Sequence, residues 1–370
     1  MIKKFSSIPE IIKSAKNGKM FILVDDESRE NEGDLVIPAS KASAQSINFM
    51  AKHGRGLICL ALNQNQVNKL NLPLMSPSNK SRTQTAFTVS IESKKGVTTG
   101  ISAYDRARTI KTAIKKNAKS KDIVSPGHVF PLVSKNGGVL VRAGHTEASV
   151  DVSRLSKSGS AAVICEIMNN DGSMAKGKQL FNFAKKHKLK IAKINDLISF
   201  RLNREKLIKI KKSSLIKIKN QKFNIKVFWN QLDGSENFAL IKGNLKKNIC
   251  PRVRVISSNI IKNYLMGEKF PNSFDKTIEY FKKYKDCVLV FIRDTNLKSV
   301  SETLRSYKSR KFYKNGQDKL IKNYGIGAQI IKALSIKNMI LVTRSKKKVI
   351  SLDGYGIKIL KQEIIKWKYV

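Results

Sequence analysis

Histidine and cysteine are scarce in this 370-residue chain, with four of each. Cys59, Cys165, Cys250 and Cys287 stand far apart without a CxxC pair, which argues against a disulfide framework and a structural zinc site and fits a reducing cytoplasm. Acids are also short, 27 against 72 Lys and Arg, for a net charge of +45. Such an excess suggests nucleic acid or an anionic surface, yet Lys outnumbers Arg 57 to 15 and aromatics are only 7%. The Arg forks and aromatic platforms of nucleic-acid readers are thin, so the excess reads as compositional drift and nucleic acid is not the expected partner. No apolar run approaches the ~18–20 residues of a membrane span. The first residues lack the apolar core and small-residue cleavage site of a signal peptide, and a cytoplasmic protein is expected.

What is present is enough chain for two domains. From Ile8 to about Asn203, runs such as ILVDD, GLICLAL, TAFTVSI, GGVLVRA, AAVICEI and LKIAKI alternate with amphipathic stretches such as ASAQSINFMAKHG. This pattern predicts a mixed α and β domain. The Lys/Ile-rich segment REKLIKIKKSSLIKIKNQKFNIKVFW reads as a helix tail that becomes a strand, and it marks the junction. Domains over 1–203 and 204–370 are therefore expected, an α+β protein of two mixed α/β units. The second is the more basic: residues 1–200 carry 32 basic and 15 acidic side chains, the remainder 40 and 12.

Against that basic background, DDESRENEGD at residues 25–34 places six acids in ten positions. The apolar runs on either side make it a connection between two buried strands, with Gly33 expected to give the turn its freedom. Carboxylates crowded on a rigid turn repel one another unless a cation lies among them, so a hard divalent metal is the economical explanation.

His128 and His145 fall in glycine-bearing loops, SPGHVFP and RAGHTEAS, whereas His53 and His187 lie at helix ends and read as structural. In the second loop Arg142 can grip a phosphate, Gly144 lets backbone amides approach and Thr146 adds a hydroxyl. His145 can ligate a metal as neutral imidazole. Glu166 interrupts the apolar run AAVICEIM, as a paired core charge or a base with a raised pKa. The set describes a site for a small phosphorylated polyol or ketose, where chelation of adjacent oxygens acidifies the carbon between them.

In order and spacing, DDESRENEGDLV, GVTTGISAYDR, SPGHVFP, GGVLVRAGHTEASVD and ICEIMNNDGSMA resemble the motifs of 3,4-dihydroxy-2-butanone 4-phosphate synthase, across nearly all of residues 5–202. The resemblance implies conversion of D-ribulose 5-phosphate to L-3,4-dihydroxy-2-butanone 4-phosphate and formate in riboflavin biosynthesis, by a homodimer using two Mg2+ or Mn2+ ions per site. It makes Glu30 and His145 the metal ligands, with Glu30 shared by both ions. Substrate contacts fall to Arg29, Glu30, Asp34, Arg142, Ala143, Gly144, His145, Thr146 and Glu166, and the catalytic roles to His128 and Glu166. Cys59 and Thr99 would line the pocket. Ser125 departs from a frequent Arg before the PGH triplet without touching any of these roles.

LDGSENFALIKGN, PRVRVIS, YGIGAQIIKALSI with LVTRSKKK, and GYGIKIL resemble GTP cyclohydrolase II, which implies that fold for the second domain. The three positions where that family carries zinc-binding cysteines hold Asn259, Phe270 and Asn272, and RDTNLKSVS from Arg293 lacks the glycines and acid that approach GTP. Thr343 and Lys348 survive from the nucleotide-contacting stretch. A zinc-free, inactive domain is expected; the alternatives are a bifunctional enzyme, or a basic binding or regulatory module.

Overall fold

The computed structural model describes residues 5–26, 29–76, 78–79, 85–245, 250–257, 273–293, 317–344 and 356–365. The chain divides into two compact units, Met1–Phe200 and Arg201–Val370.

In the first unit the strands are β1 (Phe21–Val24), β2 (Gly33–Pro38), β3 (Cys59–Leu62), β4 (Ile91–Ser93), β5 (Ile123–Val133), β6 (Ala161–Glu166) and β7 (Lys190–Lys193). The helices are α1 (Ile8–Lys16), α2 (Ala44–Phe49), α3 (Gln64–Lys69), α4 (Ala103–Ala113), α5 (His145–Leu155), α6 (Lys178–Lys186) and α7 (Ile194–Arg204), which carries the chain into the second unit. The sheet order is β4-β5-β3-β6-β2-β1-β7, with parallel pairs at β3–β5 and β1–β7 and antiparallel pairs elsewhere. Strands β1, β2 and β3 are buried from end to end, so both faces of the sheet are covered and the alternation of a one-sided strand is missing. Helix α5 lies against β6, β2 and β3, with α1 packed on it. Ile22, Leu35, Leu60 and Val163 form a core with Ile47 of α2, Ile110 of α4 and Leu180 of α6.

Three local expectations change. GGVLVRA is not a strand: Gly137 and Gly138 take φ of +91° and +62°, and Gly138–Leu140 makes one 3-10 turn. The turn is held by Asp151 of α5, whose Oδ2 accepts from the Val139 N–H at 2.9 Å. Among the described residues between β1 and β2 the left-handed one is Asn31 (φ +55°), not Gly33. Gly33 is small for packing, because a Cβ there would fall 2.7 Å from a Leu180 methyl. The Lys/Ile-rich junction forms two strands, β8 (Ile208–Ile218) and β9 (Gln221–Asn230), paired across Lys219 and Asn220 at φ +45° and +62°. Two consecutive left-handed residues match the twist of a tight hairpin.

The second unit continues with β10 (Glu236–Lys242), β11 (Arg252–Ser257), α8 (Ser273–Lys282), β12 (Cys287–Ile292), α9 (Gln317–Ala333), β13 (Asn338–Thr343) and β14 (Lys358–Ile364). Its sheet order is β14-β13-β11-β12-β10-β9-β8. Phe223, Leu240 and Leu289 pack there against Ile278 and Phe281 of α8. No helix among the described residues is long and apolar enough to cross a membrane.

Candidate active site

The site is built where the β1–β2 connection meets the start of α5. Leu23 pairs with Asp34 across β1 and β2, and Asp34 pairs with Glu166 across β2 and β6, so these residues share one row of the sheet. Helix α5 begins at the same place, with Gly144 as its N-cap and His145 as its first residue.

His145 is the hub. Its Nε2 lies 3.2 Å from the Leu23 carbonyl, a partner that favours the proton on Nε2, and 3.8 Å from Asp34 Oδ1. Burial pushes the imidazole down to about 4, so it is neutral at physiological pH. Ligand atoms of Asp25, Glu30 and His145 all lie within 4.8 Å of one another. The Arg29 guanidinium donates to Asp25 Oδ2 at 2.6 Å and to Glu30, and the Glu32 N–H donates to Asp25 Oδ1 at 2.9 Å.

Negative charge is crowded here. Burial, then Glu166 and Asp25, raise Asp34 well above the ordinary carboxylate range. Burial likewise raises Glu166, and burial with the nearby Glu30 charge raises Glu32. Two carboxylates and a neutral imidazole among mutually repelling acids are a donor set that fits a divalent cation such as Mg2+ or Mn2+.

Glu166 is aimed by its surroundings. Its Oε2 accepts from the Leu57 N–H at 2.9 Å, and a Cβ on Gly56 would lie 2.5 Å from that oxygen. Gly56 follows a π-helical turn, Met50–Gly54, and Arg55 at φ +68°. Cys59 begins β3, and burial ahead of the Glu166 and Asp34 charges pushes its thiol up, which disfavours the thiolate and a role as nucleophile.

On the other flank, Arg142 Nη1 donates to Glu147 Oε2 at 2.6 Å and Nη2 to Thr85 Oγ1 at 3.1 Å. Ala143, His145 and Thr146 are buried at the head of α5. First-turn N–H groups of a helix are donors without intrahelical acceptors, an arrangement suited to an anion.

Arg29, Glu30, Asp34, Cys59, His145 and Glu166 thus gather at one place, with residues 142–146 beside them. His128 is set apart from this group by one strand. Phe130 pairs with Cys59 and Cys59 with Ile164, so His128 and Glu166 extend to the same side, separated by the width of β3, about 10 Å on strand spacing. The His128 Nδ1 lies 3.6 Å from Glu92 Oε1, and its side chain is 42% exposed. Thr99 is exposed beside Gly100, whose position leaves no room for a side chain against Glu92. Asp25 and Glu147 are additions that sequence reasoning missed as individuals. Asp25 stands inside the acidic island and Glu147 directly after His145-Thr146, but nothing in the sequence tells them from their neighbours. Asn259, Phe270, Asn272 and Lys348 lie outside the described residues; Thr343 ends β13 and is buried.

Residues 9–200 match the 3,4-dihydroxy-2-butanone 4-phosphate synthase family and residues 209–364 the GTP cyclohydrolase II family. The riboflavin biosynthesis protein RibBA of Aquifex aeolicus (strain VF5) is 43% identical, over 98% of this chain and 93% of its own length. The 3,4-dihydroxy-2-butanone 4-phosphate synthase of Neisseria meningitidis serogroup B is 40% identical, over 96% and 97%. The crystal structure of RibBX, a two-domain 3,4-dihydroxy-2-butanone 4-phosphate synthase from A. baumannii, is similar with a TM-score of 0.83 at 36% identity, covering 98% of this chain and all of that one. A 3,4-dihydroxy-2-butanone 4-phosphate synthase in complex with two magnesium ions aligns over 54% of this chain and 98% of its own, with a TM-score of 0.52 at 38% identity.

Proposed function

This chain belongs to the 3,4-dihydroxy-2-butanone 4-phosphate synthase family of riboflavin biosynthesis, and from that premise we propose how its own residues convert D-ribulose 5-phosphate to L-3,4-dihydroxy-2-butanone 4-phosphate and formate. The observation that carries the reading is the convergence of Asp25, Glu30 and His145 donor atoms at the head of α5. Glu30 and His145, helped by Asp25, would hold the Mg2+ or Mn2+, with Glu30 shared by two ions. When bound, the metal polarises adjacent substrate oxygens and acidifies the carbon between them.

The protein's part is to orient and to move protons. Arg142 and Thr146 hold the phosphate while Ala143, Gly144 and the first turn of α5 bring backbone near it. Arg29 and Asp34 hold the hydroxyl-bearing end. The Glu166 carboxyl, raised by burial and fixed by the Leu57 N–H, exchanges a proton with the substrate carbon chain. Cys59 closes one wall of the pocket, keeping water from the rearranging skeleton.

His128 and Thr99 enter through a second copy. Ile101, Tyr104 and Val124 are exposed at 54%, 79% and 42%, close in sequence or pairing to Glu92 and His128. An apolar surface of this kind beside a required histidine supports a homodimer in which one chain's His128 and Thr99 complete the site of the other.

The second unit keeps a cyclohydrolase-like fold without zinc chemistry, and the two domains divide near residue 203. After residue 203 the sequence has only two cysteines, Cys250 and Cys287, so it cannot supply three thiolate ligands. The Lys excess with few Arg and aromatic side chains favours an enzyme over a nucleic-acid binder, and the dispersed cysteines suit a cytoplasmic one. The test is formate release by the purified chain from ribulose 5-phosphate, with Mg2+ and then EDTA. Metal-dependent formate supports the reading, and none under either condition overturns it.

A further inference from the structure

We propose that Glu147 is a positioning residue for the reaction, acting through Arg142 to aim the guanidinium at the substrate phosphate. The inference rests on the synthase reading above and extends it to a residue that reading does not use. Glu147 is the third residue of α5, its side chain is 1% exposed, and both of its oxygens are engaged. Oε2 accepts from Arg142 Nη1 at 2.6 Å and Oε1 from the Lys135 N–H at 3.1 Å. Arg142 is held again by Thr85, with Nη2 donating to Oγ1 at 3.1 Å, and its side chain is 20% exposed, so the buried glutamate anchors a guanidinium that still reaches the surface.

The geometry serves aim more than stability. A buried ion pair adds little net folding energy after desolvation, but it fixes a long side chain that otherwise samples many rotamers. Fixing the guanidinium beforehand removes that ordering cost from substrate binding. Gly144 belongs to the same device, since a Cβ there would fall 2.4 Å from Arg142 Nη1 and 2.9 Å from Glu147 Oε2. The Lys135 bond ties the start of the 135–142 segment to the first turn of α5, so the residue that holds Arg142 is itself held by the loop that carries it.

The experiment compares wild type, Glu147→Gln, Glu147→Asp, Arg142→Ala and the Arg142→Ala/Glu147→Gln double variant in the full chain. It reads KM and kcat for ribulose 5-phosphate, calorimetric affinity for inorganic phosphate, Mn2+ affinity by electron paramagnetic resonance, and thermal midpoint. Expected for Glu147→Gln are a KM raised and a phosphate affinity weakened by roughly 10-fold or more, with Mn2+ affinity unchanged and Glu147→Asp in between. In the double variant KM is no worse than in Arg142→Ala, because the glutamate acts only through the arginine. Additive losses, or a lowered thermal midpoint with unchanged KM and phosphate affinity, overturn the proposal. Phosphate binding needs no turnover, so a wild type inactive on ribulose 5-phosphate refutes the synthase reading while the phosphate data still judge the role of Glu147.

Discussion

The Leu57 N–H donates to Oε2 of Glu166 at 2.9 Å, and the residue before it, Gly56, has no space for a side chain against that same carboxylate. A Cβ at Gly56 would also meet the Glu166 N and O at 2.7 Å. Gly56→Ala therefore displaces the end of β6. Turnover is expected to fall by roughly 10-fold or more, with about 1–3 kcal/mol of stability lost to overpacking. Glu166→Gln keeps the Leu57 acceptor and the fold but loses the proton carrier, so it should abolish turnover without lowering the thermal midpoint. Steady-state rates beside a melting curve check both, and wild-type turnover by Glu166→Gln would remove Glu166 from catalysis.

Asp25, Glu30 and His145 make a graded prediction for metal binding. Glu30→Gln should eliminate Mg2+-dependent formate release and cut Mn2+ affinity most. Asp25→Asn should weaken the affinity by roughly 10-fold while saturating metal restores much of the rate, since one of three donors is impaired. A Mn2+ titration of each variant, read by electron paramagnetic resonance, decides the order. Equal affinities in all three proteins would place the metal elsewhere.

The crowded acids predict how stability depends on pH. Asp34 and Glu166 have folded pKa values above their unfolded ones, chiefly through burial. The folded state therefore binds protons more tightly than the unfolded chain. Their contribution is fully present below the unfolded carboxylate value of about 4 and is lost as pH rises through the higher folded values. In EDTA, Asp34→Asn should flatten the fall in thermal midpoint between pH 5 and pH 8 relative to wild type. Added Mg2+ should raise the wild-type midpoint more at pH 8 than at pH 6. A slope unchanged by Asp34→Asn would show that these acids are not the source.

For the second unit, incubation with GTP should yield no formate, and elemental analysis should find no stoichiometric zinc. Zinc-dependent formate from GTP would mean that non-cysteine ligands have replaced the usual triplet.

For the assembly, Tyr104→Glu places a charge on an aromatic side chain that is 79% exposed. Sedimentation should then show a monomer, and activity should fall with dimer content. A fully active monomer would require His128 to act within its own chain.

Much of the site is legible in the order of residues along the chain. The acidic island between two apolar runs points to a metal-bearing connection, and Asp25–Glu32 does link β1 to β2. The RAGHTEAS stretch, read from the sequence as a loop suited to an anion, is in the structure the start of a helix, α5. These signals are local: charge density, apolar run length and a glycine at a boundary act over a few residues, and the chain order preserves them. GGVLVRA misleads for the complementary reason. Its Val139 and Leu140 are buried as a strand's residues would be, but two left-handed glycines and a bond to Asp151 curl it into a turn.

The sequence by itself determined the two-domain α and β division, the family and the reservoir of acids, histidines and arginines from which the site is drawn. Only the tertiary structure decided which of them meet. Asp34 joins Glu166 through strand pairing between segments far apart in the chain, Glu147 turns back to Arg142, and β3 stands between Glu166 and His128. Composition and spacing carry no record of such register, because pairing across a sheet is fixed by which buried faces close together. The same closure raises the carboxyls of Asp34 and Glu166, since a pKa responds to the solvent and charge that packing leaves around a group.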